Sequence, residues 1–299
     1  MKTILLPNDL SPVAENAFAY AVDFAMAQPE KIKLILLHVF DTSLANPVVP
    51  VELMLANVEA REKRMVEDLE RMAAKYLRAT GLNCAVLTTR GFVENEIASI
   101  AAEYKADYIF MGTKGAKGIE ALLYGSNTSN AIAKAPCPVL AIPEHATFSR
   151  LRNIVFASNF EDRDLEDIRK VIPLAKLFSA KITLMHLSEK EEEEVDMRVL
   201  DYVKAKTISE TGYYAIENTS FYAPRFAKGI EKELKDLKAS LLVMAPRKRT
   251  FLQNLFGASN TRKMVMQTQI PLLALPIANQ EYKTKPGTAG KALKNVVLF

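Results

Sequence analysis

The sequence contains the same pattern twice, and this internal repeat constrains the fold more than any other feature. Residues 138–143 read PVLAIP and residues 271–276 read PLLALP. Residues 33–39 read KLILLHV and residues 181–187 read KITLMHL, which places a histidine at the same point of both segments. Similarity at matching places in both halves of a chain indicates two copies of one structural unit.

Each copy alternates short apolar runs with longer amphipathic stretches. Residues 33–40 form an almost continuous apolar run, which is typical of a strand covered on both faces, and residues 12–27 have helical periodicity. Strands separated by helical crossovers form parallel sheets. The pattern predicts two tandem doubly wound α/β domains, each a five-stranded parallel sheet of order 3-2-1-4-5 flanked by helices. In the first copy the expected strands are 3–6, 33–40, 84–89, 108–111 and 138–142, and the expected helices are 12–27, 52–80, 94–104 and 127–134.

The repeat also sets the expected domain organisation. We expect residues 1–146 to form one domain and residues 150–278 to form a second, similar domain. Residues 279–299 are polar and end in the apolar sequence VVLF. Their composition predicts a loop or a mobile tail, and the alternative is that the apolar end docks on this chain or on a neighbouring one.

Composition argues against several classes of protein. The formal net charge of +4 is too mild, and the charges too mixed, to indicate nucleic-acid binding. No stretch of about 18 residues is continuously apolar, so we expect no membrane span. The short apolar run at the N-terminus predicts a strand rather than a signal peptide. Cys84 and Cys137 lie in apolar runs and are expected to be buried thiols, which favours a cytoplasmic protein.

One glycine-containing segment carries the main indication of function. Gly112, Gly115, Gly125 and Ser126 follow a predicted strand and precede a predicted helix. Backbone N–H groups at such a turn can bind phosphate, because glycine has no Cβ to block the anion and a helix N-terminus favours negative charge. The second copy lacks these glycines. It carries Ala245, Lys248, Ala258 and Ser259 at the corresponding places.

This difference between the copies predicts one nucleotide site, in the first copy, and an empty or weaker site in the second. In a doubly wound sheet, ligands bind where the strand order reverses, which here lies between strands one and four. Asp9 follows strand one and can accept hydrogen bonds from a ribose hydroxyl or an adenine amino group. The candidate site residues are Pro7, Asp9, Val39, Gly112, Thr113, Gly115, Gly125, Ser126 and Asn127.

Structural interpretations of the same residues stay open at this point. Glycines also shape turns without any ligand, and Ser126 can serve simply as a helix N-cap. Asp9 can cap the helix that begins near Pro12. His38 and His186 share one strand position, which fits core histidines with satisfied hydrogen bonds better than catalysis.

The chain resembles the universal stress protein family in its tandem-domain form. Gly112, Gly115, Gly125 and Ser126 match the family's nucleotide signature, G-x2-G-x9-G-(S/T). The segments ILLPNDLS, LLHV, DYIFMGTKG and APCPVLAIP resemble the family as well. The resemblance is strong over residues 1–143 and weaker over 151–277.

The resemblance implies a ligand and an assembly. It implies binding of ATP, with Asp9 and Val39 at the base or sugar and the loop residues at the ribose and phosphates, and Mg²⁺ can accompany the phosphates. It also implies that the domains pair through their fifth strands as an intramolecular pseudo-dimer, with further homodimerisation as an option. In the second copy Asn159 replaces the aspartate.

These observations favour an ATP-binding universal stress protein with a regulatory role in the stress response. The first alternative is a slow ATPase or a phosphoryl-transfer enzyme. It has weak support, because the sequence lacks a G-x4-GK-(S/T) loop and an evident base to activate water. Asp9 is the only carboxylate expected in the site. The second alternative is a nucleotide-free scaffold or small-molecule sensor.

Overall fold

Strands and helices alternate along the chain as the apolar pattern predicts. The computed structural model describes residues 1–41, 51–78, 80–113, 126–158, 163–188, 197–222, 226–246 and 270–277. The first copy contains β1 (Lys2–Pro7), α1 (Pro12–Met26), β2 (Ile32–Asp41), α2 (Val51–Leu77), β3 (Asn83–Gly91), α3 (Val93–Glu103), β4 (Tyr108–Thr113), α4 (Ser126–Lys134) and β5 (Val139–Pro143). The second contains β6 (Asn153–Ser158), α5 (Asp164–Phe178), β7 (Lys181–Ser188), α6 (Met197–Thr211), β8 (Ile216–Tyr222), α7 (Phe226–Asp236), β9 (Leu241–Met244) and β10 (Leu272–Ala274). The predicted tail, 279–299, lies outside the described residues.

All the strands among the described residues belong to one sheet, whose order is β3-β2-β1-β4-β5-β10-β9-β6-β7-β8. Read from either outer edge, each half has the order 3-2-1-4-5, and the strands within each half are parallel. The predicted fold class is therefore confirmed. In the middle of the sheet, residues 272–274 pair antiparallel with residues 139–141.

Both faces of the sheet are covered, which explains the continuous apolar runs. Leu34, Ile35, Leu36 and Leu37 are all fully buried on β2. Leu34 and Leu36 pack in one core cluster, whereas Ile35 and Leu37 pack in another, because successive side chains of a strand point to opposite faces. A strand with one face in water would need polar residues at alternate positions.

An aromatic cluster joins the two halves on one face of the sheet. Phe24 of α1 lies 5.2 Å from Phe110 of β4 and 5.8 Å from Phe178 of α5, measured between ring centroids. Phe148, in the connection between the halves, lies 5.7 Å from Phe24 and 6.0 Å from Phe178. The two halves therefore share part of one core.

The cysteines are buried and free, as predicted. Burial raises the pKa of the Cys84 thiol and of the Cys137 thiol to about 12. Both side chains therefore remain protonated and behave as small apolar groups at neutral pH. Within the described segments, no helix is long and apolar enough to cross a membrane.

Candidate functional site

A cavity of about 430 Å³ opens at the carboxyl ends of β1, β2 and β4. This is the point where the strand order reverses, and its size lies in the range of about 300–1,000 Å³ that small-molecule sites occupy. The first turns of α1, α3 and α4 complete the wall. The fold therefore forms a site where the topology of such sheets places ligands.

The structure brings several of the predicted site residues together around this cavity. Those that line it are Pro7, Asp9, Val39, Gly112 and Asn127. They come from the ends of three strands and the start of α4, so the chain folds residues more than 100 positions apart onto one site.

The remaining predicted residues have different places. Thr113 is buried and is not among the residues that line the cavity. Its hydroxyl donates a hydrogen bond to the Ile142 carbonyl at 3.3 Å. Gly115 and Gly125 lie outside the described residues. Ser126 is the first residue of α4, and its side chain is outside the described part of the structure.

The turn from β1 into α1 positions Asp9. Its Oδ1 accepts a hydrogen bond from the Ser11 backbone N–H at 3.0 Å. Ser11 is the N-cap of α1, since its hydroxyl accepts from the Ala14 N–H, so the interpretation that Asp9 caps this helix is wrong. Asp9 is exposed, and its Oδ2 has no partner among the described residues. That oxygen is available to a ligand.

Asn8 holds this turn in place and was not among the residues predicted from the sequence. Asn8 is buried; its Oδ1 accepts from the Leu10 N–H at 2.8 Å and its Nδ2 donates to the Ala14 carbonyl at 3.1 Å. These two bonds keep Leu10 in the left-handed region, at φ 61°, which is unfavourable for a residue with a Cβ. The side chain of Asn8 thereby fixes the direction in which Asp9 leaves the sheet.

Close packing against α1 requires a glycine at position 112, independently of any ligand. A Cβ at this position would lie 2.4 Å from the Val13 carbonyl oxygen and 2.5 Å from Val13 Cγ1. From the sequence, this glycine is explained by close approach of the ligand to the backbone. The structure adds a second reason, which is that β4 passes directly against the first turn of α1.

The charges around the cavity differ from those expected. The expectation that Asp9 is the only carboxylate of the site is wrong, because Asp41 at the end of β2 also lines the cavity. Asn127 and Thr128 line it from the first turn of α4, where helix N–H groups favour an anion. The wall thus combines hydrogen-bond acceptors with an anion-binding helix end, and a nucleoside phosphate carries the matching donors and charge.

His38 also lines the cavity, although the sequence analysis favoured a core role. Its Nδ1 is 2.8 Å from the Asn8 carbonyl oxygen, and its ring packs edge-on against Phe40 at 4.6 Å. Burial is the main reason why the pKa of His38 lies below its ordinary value of 6.5. The imidazole is therefore neutral at neutral pH.

Comparison with known proteins identifies the family of this chain. A model of the universal stress protein family matches residues 1–143. A universal stress protein of Thermus aquaticus is 34% identical over 142 residues, which are 47% of this chain and 98% of that protein. The chain belongs to the universal stress protein family.

Two further relatives extend the comparison. A universal stress protein of Methanocaldococcus jannaschii is 30% identical over 147 residues, which cover 47% of this chain and 81% of that protein. The crystal structure of a universal stress protein from Archaeoglobus fulgidus is similar over 93% of this chain and 97% of that one, with a TM-score of 0.69 and 20% identity. The last similarity concerns the fold alone.

The second half of this universal stress protein repeats one detail of the site. His186 Nδ1 lies 3.0 Å from the Ser158 carbonyl oxygen, as His38 lies against Asn8. The structure therefore confirms the alignment of the two histidines. The same alignment places Asp164 on Ala14, which lines the cavity of the first half.

Asp164 changes the chemistry of the second half. It is the first residue of α5, it is only 2% exposed, and it accepts a hydrogen bond from the Ser158 hydroxyl. The second half therefore carries a buried acid where the first half has an alanine on the cavity wall. Alignment of the two copies could have revealed this residue, because it replaces an alanine with an acid.

Proposed function

We propose that this universal stress protein binds ATP, or a related adenine nucleotide, in the cavity of its first half. Binding of the nucleotide has a regulatory role in the stress response. The observation that carries the proposal is the position of the cavity. It lies at the reversal of strand order, with carboxylates on its wall and the start of α4 beside them. The match of the glycine segment to the family signature supports the same ligand.

Each part of the wall has a role in the proposal. Asp9 Oδ2 accepts a hydrogen bond from the ribose or the adenine amino group, and Val39 offers its backbone to the base. Asn127 and the N–H groups of α4 bind the phosphates. The family signature assigns Gly115 and Gly125 to the ribose and phosphates as well. Mg²⁺ accompanies ATP through phosphate oxygens and water.

In the second half, by contrast, we propose an empty or much weaker site. Ala245, Lys248 and Ala258 stand where the first half has glycines, and Asp164 adds a carboxylate at the start of α5 where the first half has Ala14. We propose that this half acts as a structural partner in a pseudo-dimer. The antiparallel pairing of residues 139–141 with 272–274 supports that arrangement.

Calorimetric titration of the full chain with ATP, ADP and AMP tests the proposal. We expect one nucleotide per chain for the wild type. The Asp9→Ala variant should bind about 10- to 100-fold more weakly, which is the loss expected when a hydrogen bond to a charged group is removed. Absence of binding at millimolar nucleotide would contradict the proposal.

A matched control separates the two halves. Asn159 occupies the place of Asp9 in the second copy, and the Asn159→Ala variant should bind ATP like the wild type. If Asn159→Ala weakens binding and Asp9→Ala does not, the nucleotide binds in the second half. Measurement of phosphate release in the same samples tests the enzyme alternative, which predicts turnover above background that Asp9→Ala abolishes.

A further inference from the structure

The role of His38 is not explained by the architecture alone. His38 lines the cavity, and only one of its two ring nitrogens has a hydrogen-bond partner within the described part of the protein. That nitrogen, Nδ1, is 2.8 Å from the Asn8 carbonyl oxygen. A carbonyl oxygen can only accept a hydrogen bond, so Nδ1 carries the proton.

The state of the other ring nitrogen follows from this bond. In a neutral imidazole one nitrogen donates and the other accepts, so Nε2 of His38 carries a lone pair. Burial favours the neutral ring and lowers the pKa of His38, an effect that the Asn8 carbonyl and the Asp9 carboxylate oppose and Arg61 reinforces. Three residues that carry acceptors therefore line the cavity, namely Asp9, His38 and Asp41.

We propose that His38 is a ligand-binding residue, whose Nε2 accepts a hydrogen bond from an N–H or O–H donor of the bound nucleoside. The inference rests on the proposed function, since it needs a nucleoside in the cavity. It gives His38 two tasks, because Nδ1 holds the turn that carries Asp9 and Nε2 selects a ligand with a donor at that point.

Two substitutions separate these tasks. His38→Asn keeps an amide N–H near the position of Nδ1, which preserves the bond to Asn8, but removes the acceptor at Nε2. His38→Gln places an amide oxygen near the position of Nε2 and gives up the bond to Asn8. A ligand-binding role predicts weaker ATP binding for the asparagine variant and recovery in the glutamine variant. A purely structural role predicts the reverse order.

The expected sizes follow from the net contribution of one hydrogen bond. ATP affinity measured by calorimetry should fall about 3- to 10-fold in His38→Asn and stay within about 2-fold of the wild type in His38→Gln. His186→Asn is the matched control, because His186 makes the same bond to Ser158 in the second half. Its ATP affinity should equal that of the wild type.

The pH dependence of ATP affinity provides an independent test of the role of His38. The neutral ring binds the ligand, so protonation of Nε2 at low pH opposes binding. Affinity of the wild type should fall as the pH drops below the pKa of His38, which lies under 6.5, by up to about tenfold per pH unit. This part of the pH dependence should vanish in His38→Asn, whereas contributions of Asp9, Asp41 and the ATP phosphates remain in both proteins.

Analogues of ATP identify the donor. The ratio of wild-type to His38→Asn affinity should approach one for the analogue that lacks the donor, whether it is the 2′-deoxy, the 3′-deoxy or the 6-unsubstituted purine triphosphate. An unchanged ratio for all three would overturn the proposal, as would wild-type affinity in His38→Asn. A wild type that binds no nucleotide would instead refute the proposed function, and the inference with it.

Discussion

Replacement of Gly112 by alanine is expected to reduce both stability and ATP binding. The added methyl group would lie 2.4 Å from the Val13 carbonyl oxygen, which is backbone and cannot rotate away. The first turn of α1 must therefore move, at a cost of about 1–3 kcal/mol in the free energy of unfolding. Because that turn lines the cavity, its displacement should also change the shape of the site. Urea unfolding and calorimetry with ATP measure the two effects.

A second glycine provides the control for this prediction. Gly212 follows α6 in the second half, and a Cβ there would have nothing within 4 Å. Its φ of +64° still makes alanine unfavourable by about 1–2 kcal/mol. Gly212→Ala should therefore lose stability but bind ATP like the wild type. Wild-type stability in Gly112→Ala would show that β4 and α1 are not in the described contact.

Replacement of Phe24 by alanine should produce the largest loss of stability. Phe24 is 3% exposed, and its ring packs against Phe110 of the first half and Phe178 of the second. Removal of such a ring leaves a cavity and costs about 3–5 kcal/mol. Because the cluster belongs to both halves, we expect one shared unfolding transition in the wild type. Urea denaturation followed by circular dichroism gives the free energy of unfolding and the number of unfolding transitions.

Phe92 is the matched control for Phe24. Its side chain is 56% exposed, so Phe92→Ala should change the free energy of unfolding by no more than about 0.5 kcal/mol. A similarly small change in Phe24→Ala would contradict the shared aromatic core. Two separate unfolding transitions in the wild type would contradict it as well.

The sequence predicted the architecture well because that architecture depends on local patterns. In the first copy, apolar runs identify the five strands, and each expected strand lies within two residues of its observed bounds; the run 108–111, for example, continues to Thr113. The strand β8 (Ile216–Tyr222) was not predicted, because its sequence IENTSFY is largely polar. Pro12 marks the first residue of α1 because proline fits the first position of a helix. The strand order follows from short right-handed crossovers in such a fold and from the family resemblance.

The sequence predicted less about the cavity, because its wall depends on contacts through space. Asp41 was missed although Val39 was a candidate, because the strand was expected to end at residue 40, whereas β2 continues to Asp41. The reason for Gly112 was incomplete, because Val13 is almost 100 residues away along the chain. Asp164 became meaningful once the alignment of the two halves was supported by the paired histidine bonds.

The most decisive experiment is a crystal structure of the full chain grown with ATP. We expect density for one adenine nucleotide in the cavity of the first half, with Asp9 Oδ2 at hydrogen-bond distance from its ribose or base and its phosphates at the start of α4. We expect no nucleotide beside Asp164 in the second half. Nucleotide density confined to the second half, with the first cavity empty, would contradict this expectation.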